Sequence, residues 1–422
     1  MIYFKNKNCF TKLIWKKDLI EKLKLLLYIS IKPIVLKFEE STYFTTWATS
    51  IYPLRRYHNN LNNHSIRQII RISASGDKIR LKISNKSGEN NLEIKKICLA
   101  DLISKSQIDT KTIKYLKFNG KNSVIIHKGE EIYSDTIMYP LKPISDIAIS
   151  IYFGSVPKKK SGHYYSKTFS YIEEGNKITN RIFSEKNKIS NWFFIEALEV
   201  SSENPKKTVV FLGDSITDGI SGTDDTRNNY PDIFSAKLHE NMKTSDIAVI
   251  NKGIDGDRLV DKGIKRYSHD VLNIRGVKYI VVLYGVNDLN VLNISSSQII
   301  SAYKSIIKLA HEKNLFIYSG TILPFSEFKF KNYLWNKKKE KVRNEVNEWI
   351  RRTAPEKGGF DAFFDYDKEM KDPKNGTKLA KIYDCGDGIH PNLRGYKKMV
   401  DCIKDLSLFT KDWIWICFNK CS

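Results

Sequence analysis

From about residue 41 to residue 200, apolar and polar side chains alternate in short runs. Lys78-Ile79-Arg80-Leu81-Lys82-Ile83-Ser84 has the strict period of two that a half-buried strand needs, and Leu92-Glu93-Ile94-Lys95-Lys96-Ile97 repeats it more weakly. Tyr115–Phe118, Ser123–Ile126 and Ile147–Tyr152 are further strand candidates. Turn-forming segments such as Asn85-Lys86-Ser87-Gly88 separate them, and no long stretch here has helical periodicity. The pattern predicts an antiparallel β-sandwich.

The pattern changes after about residue 205. Thr208-Val209-Val210-Phe211-Leu212 is almost continuously apolar, as a strand covered on both faces must be. Ile247–Ile250, Tyr279–Tyr284, Leu315–Tyr318 and Phe360–Phe364 are similar. Between them lie helical stripes: Ile299, Ile300, Tyr303, Ile306, Ile307 and Ala310 share one face, as do Val342, Val346, Trp349 and Ile350. A further helix is expected with Pro231 in its first turn. Strands alternating with amphipathic helices predict a parallel α/β sheet. The expected organisation is therefore an extension over 1–40, a mainly β accessory domain over 41–204, an α/β domain over 205–410 and a tail over 411–422. The boundary falls near Ser202–Lys207.

Composition adds limits. The 422 residues, 41% hydrophobic and 12% aromatic, are enough for two cores. The formal charge of +23 raises the question of a polyanionic partner. The lysines are spread through nearly every segment, however, and no nucleic-acid motif accompanies them, so no nucleic acid is expected as partner. The six cysteines, Cys9, Cys98, Cys385, Cys402, Cys417 and Cys421, form no CxxC pair. Cys385 with Cys402, or Cys417 with Cys421, can pair in an oxidising compartment, but free thiols are expected. At the N-terminus a Lys-rich stretch leads into Leu25–Ile31, the outline of a secretory leader without an obvious cleavage site. This points to export, with a cytoplasmic location as the alternative. Neither Leu25–Ile31 nor Trp413–Phe418 is long enough to span a bilayer.

In a parallel α/β sheet, reacting groups collect at the carboxyl ends of strands. The first apolar strand runs into Gly213-Asp214-Ser215-Ile216-Thr217, where a tight turn can lift a serine hydroxyl clear of the backbone. The second runs into Asn251-Lys252-Gly253-Ile254-Asp255-Gly256, and Gly253 can present a backbone N–H with no side chain in the way. The third leads to Gly285-Val286-Asn287-Asp288, where the Asn287 amide can donate into the same space. Asp387-Gly388-Ile389-His390 follows near the end of the chain. Each block alone also has an ordinary structural reading, such as a turn, a helix cap or a buried histidine. Together, in order after successive strands, they supply a nucleophile, two donors, a base and an orienting acid.

Those four blocks, over residues 208–409, resemble the SGNH (GDSL-type) hydrolases. Ile216 replaces the family's usual leucine. Ser65–Gln68, Leu81–Asn85, Phe118–Gly120 and Tyr133–Asp135 extend the resemblance to the subset with a β-sandwich before the hydrolase domain. The resemblance implies a three-layer α/β domain in which Ser215, Asp387 and His390 are catalytic. Ser215, Gly253 and Asn287 would form the oxyanion hole. No metal or organic cofactor is implied. The expected substrate is a small-molecule or polysaccharide ester, foremost a short acyl (acetyl) group on a carbohydrate. A lysophospholipid or other lipid ester is one alternative, and a non-catalytic glycan-binding protein another. Asp384, close to His390, is a competing orienting acid, but the Asp387 spacing matches the family. Asp214 and Asp288 are expected to shape loops, Arg258 to pair with an aspartate or contact substrate, and Trp192-Phe193-Phe194 to pack between domains.

Overall fold

The computed structural model describes residues 43–412, apart from Arg56, His58, 202–205, 222–225, Arg227 and 331–332. The basic N-terminal segment, the Trp413–Phe418 run and Cys9, Cys417 and Cys421 lie outside the described residues. Among those described, no helix is long and apolar enough to cross a membrane.

The N-terminal unit is built from antiparallel sheets. One orders Tyr43–Ala48, Ile195–Ser201, Gly76–Ser84 and Ile137–Leu141, with Glu131–Tyr133 also paired to Gly76–Ser84. A second centres on Ser170–Glu174, His64–Ile72, Ser145–Phe153 and Leu92–Ser104, with Ile147 opposite Ile70 and Asp101, and a third orders Asn191–Phe193, Ser161–Tyr164 and Tyr52–Pro53. The alternating residues Ile79, Leu81 and Ile83 face Ile66, Ile70, Ile149 and Ile151 in one core. The outer face of the second sheet is also covered. Arg67 is fully buried there, donating to Ser150 Oγ at 2.9 Å and to the carbonyls of Ser106 and Asn180 at 2.7 Å each. Phe193 and Phe194 belong to the sandwich core and do not pack between the domains. Of that cluster, Trp192 reaches the boundary cleft, edge-on to Trp47.

The C-terminal unit is a five-stranded parallel sheet, ordered Ala248–Gly253, Thr208–Gly213, Val277–Leu283, Phe316–Gly320 and Ala362–Phe364. Val209–Leu212 and Tyr279–Val282 are inaccessible, which explains their unbroken apolar sequence. Helices flank the sheet. Ser296–Glu312 begins with a reciprocal Ser295–Gln298 capping box and buries Ile299, Tyr303, Ile306, Ile307 and Ala310. Lys337–Arg352 buries Val342, Val346 and Ile350, and Tyr230–His239 carries Pro231 in its first turn. The strand order places the first strand between the second and third. Their carboxyl ends therefore open side by side at a switch point, where α/β folds place their sites.

The two units share a polar boundary. Thr45 N–H donates to Arg275 O at 2.9 Å, Val249 N–H to Ser73 Oγ at 3.1 Å, and the buried Lys252 ammonium to Thr49 O at 2.6 Å. Burial holds the Lys252 pKa below its ordinary value. Nearby, Lys82 bridges Glu131 and Glu196 at 2.8 Å each, and His269 lies between Asp270 (2.8 Å) and Glu131 (3.0 Å). Hydrogen bonds to Asp270 and then Glu131 raise the His269 pKa to about 9.

Candidate active site

The sheet's first strand in chain order ends at Gly213, and the chain turns directly into a four-residue helix, Ser215–Asp218. Asp214 caps it, accepting the Ile216 N–H at 3.0 Å, and Gly219 closes it in the left-handed conformation at φ 100°. The cap is the loop-shaping role expected of Asp214. Burial pushes its carboxyl well above the usual range. Ser215 thus opens a helix at the carboxyl edge of the sheet and is 3% exposed.

The structure brings Ser215, His390 and Asp387 together. His390 Nε2 lies 2.8 Å from Ser215 Oγ, and His390 Nδ1 lies 2.5 Å from Asp387 Oδ2. The other Asp387 oxygen accepts the Ile389 and His390 N–H groups at 3.0 and 2.9 Å. Burial alone would raise the Asp387 pKa. The hydrogen bond and charge of His390, with the two backbone donors, outweigh it and hold the carboxylate well below its ordinary range. Asp384 does not reach the imidazole; it accepts the N–H groups of Gly386 and Gly388, shaping the loop that carries Asp387. Phe328 stands edge-on to the His390 ring, centroids 6.5 Å apart.

The donors are arranged less simply than expected. Asn287 lies in the first turn of the helix Val286–Val291, and its side-chain Nδ2 is buried with no hydrogen-bond partner. An amide donor in that state is a group awaiting an acceptor. Gly253 must be corrected. Its N–H is already spent, donating to Asn251 Oδ1 at 2.8 Å. A Cβ at this position would lie 2.2 Å from the Asp218 backbone nitrogen, so Gly253 is a packing glycine under the Ser215–Asp218 helix. Three residues on, Gly256 sits at φ 68° in a turn closed by Asp257 N–H to Ile254 O (3.1 Å). Nothing lies within 4 Å of where its Cβ would be, and its N–H meets no acceptor among the described residues. The sequence carried a signal for it: the second glycine of the same block, which a left-handed turn requires.

The remaining candidates have structural roles. Asp288 accepts the Leu259 and Val260 N–H groups at 3.1 and 3.0 Å, and burial pushes its pKa up to about 6. Arg258 pairs with Asp261. Cys98, Cys385 and Cys402 are free thiols.

Residues 211–398 match the family model described as GDSL-like lipase/acylhydrolase. This part of the chain is a GDSL-like hydrolase domain. No curated protein matches the chain. Similar solved structures include a GDSL-like lipase from Bacteroides thetaiotaomicron, with 23% identity, 48% of this chain and 88% of that one covered, and a TM-score of 0.38. A lipolytic G-D-S-L family member from Veillonella parvula has 22% identity, coverage of 49% and 99%, and a TM-score of 0.36. A catalytic mutant of an acetylxylan esterase from Geobacillus stearothermophilus has 18% identity, coverage of 49% and 95%, and a TM-score of 0.37. The GDSL-like domain accounts for the parallel sheet and leaves the sandwich to be explained on its own terms.

Proposed function

We propose that this protein is a serine carboxylic ester hydrolase acting through an acyl-enzyme, with short acyl groups on a carbohydrate as substrate. The observation that carries the reading is the continuous Asp387–His390–Ser215 hydrogen-bond chain at the carboxyl end of the sheet. Ser215 Oγ attacks the ester carbonyl while His390 Nε2 takes its proton. Asp387 fixes the tautomer by accepting from Nδ1 and stabilises the imidazolium that forms. The carbonyl oxygen becomes an oxyanion facing the Ser215 and Gly256 N–H groups and Asn287 Nδ2, with Gly256 taking the place expected of Gly253. The protonated His390 then gives its proton to the departing alcohol. Water, deprotonated by the same imidazole, releases the acyl group and regenerates Ser215.

The carbohydrate part of the reading is supported by the sandwich joined to the hydrolase domain, an arrangement its sequence resemblance associates with ester removal from sugars or lipids. Ser215→Ala tests the acyl-transfer step. Hydrolysis of p-nitrophenyl acetate should fall by at least about 10⁴-fold with the melting temperature preserved, and undiminished turnover would overturn the reading. Profiling acetyl to dodecanoyl esters tests the acyl group: a steep preference for acetyl supports it, and a preference for long chains favours a lipid ester.

A further inference from the structure

We propose that the β-sandwich supplies a positioning residue to the hydrolase site: His163 fixes, through Asp218, the turn that carries Gly256. The inference rests on the reading of that turn as an oxyanion donor and assigns the accessory domain a part in it.

His163 lies on the sandwich strand Ser161–Tyr164, 3% exposed, with Tyr52 edge-on at 5.3 Å and Trp192 at 6.0 Å. Its two ring nitrogens face opposite ways. Nδ1 is 2.9 Å from Ser50 O, and Nε2 is 3.0 Å from Asp218 Oδ1. Both partners are acceptors, and a hydrogen bond to the Asp218 carboxylate is charge-assisted. Asp218 is the last residue of the helix that Ser215 begins, and its other oxygen accepts the Asp255 N–H at 3.1 Å. One buried carboxylate thus ties the sandwich, the nucleophile helix and the residue before Gly256.

The residue after Gly256 is tied to the same corner of the sandwich. Asp257 Oδ2 accepts from Arg266 Nε (2.8 Å) and Tyr284 Oη (2.7 Å). Arg266 donates in turn to the Ser50 hydroxyl at 2.9 Å and to Gly213 O at 3.0 Å. Gly256 itself has open space where a Cβ would stand and no side chain to pack. Its orientation therefore depends on the two residues beside it. An oxyanion donor acts through pre-set geometry, and a displacement of about 1 Å can cost about a hundredfold in rate. The Ser50–His163 corner restrains that displacement, which gives the sandwich a role in turnover independent of any glycan contact.

Two isosteric variants separate positioning from packing. In His163→Gln the amide nitrogen takes the place of Nε2 and keeps the donor to Asp218. In His163→Asn it takes the place of Nδ1, keeping only the donor to Ser50. His163→Asn should lower kcat for p-nitrophenyl acetate by roughly ten- to hundredfold with KM changed less than about twofold, and His163→Gln should recover most of the loss. A wild-type kcat in His163→Asn, or equal losses of kcat and melting temperature in both variants, would overturn the proposal. If His163→Asn does not fold, Asp218→Asn is measured in its place, and an unchanged kcat there has the same consequence. A fluorophosphonate adduct on Ser215 is scored in parallel. Its absence from the wild type would defeat the hydrolase reading itself, whereas a labelled wild type with an unaffected His163→Asn would defeat only the part given to the sandwich.

Discussion

The two ends of the Ser215–Asp218 helix face two different histidines. At its start, Ser215 meets His390, which comes from the same domain and is held by Asp387 three residues away. At its end, Asp218 meets His163, which comes from the sandwich and is held by the Ser50 carbonyl. Both imidazoles bridge two oxygens at hydrogen-bonding distance. The first pair is partly open, with the Asp387 side chain 39% exposed, while His163 and Asp218 are 3% and 4% exposed. The open side is where a proton can move to and from substrate, and the closed side is where a buried hydrogen bond holds its position. One short helix thus joins chemistry to support, and the two should respond differently to mutation.

The largest separation is expected at Asn287. Truncating the unpaired donor in Asn287→Ala should cut kcat by about 10²–10³ with little change in KM or melting temperature. Equal losses in binding and turnover would move Asn287 out of the oxyanion role. Gly253→Ala should behave in the opposite way. Its new Cβ would press on the Asp218 backbone at 2.2 Å, and overpacking of this kind costs about 1–3 kcal/mol. Melting temperature and turnover should then fall together, because the nucleophile helix shifts. A normal melting temperature with selectively lost kcat would restore Gly253 as a donor.

The smallest effect is expected at the domain boundary. The folded-state pKa of His269 is about 9, above the ordinary 6.5, so its contribution is fully present below pH 6.5 and is lost as pH rises through about 9. The excess melting temperature of wild type over His269→Gln should therefore shrink across that window. A difference that grows with pH would contradict the assigned pairing with Asp270 and Glu131.

The contrast between the two histidines also explains what could be read from the sequence. Each reacting group of the hydrolase domain follows an apolar strand within a short block, so Ser215, Asn287, Asp387 and His390 are visible as local patterns. The block after Asn251 holds two glycines, and only the fold shows that the Gly253 N–H is spent on the Asn251 side chain. The support is non-local: His163 meets residues 113 and 55 positions away, and no periodicity records such a pairing. The strand His64–Ile72 is illegible in the alternation for a related reason. Arg67 is buried on the face where alternation predicts solvent, because the chain from Ile178 to Phe183 covers it.

The most direct test of the central claim is to treat the full chain with a fluorophosphonate and map the adduct by peptide mass spectrometry. The account predicts a single modified residue, Ser215, with labelling abolished in Ser215→Ala and strongly slowed in His390→Ala. A wild-type protein that takes up no label, or takes it up at another residue, would contradict it.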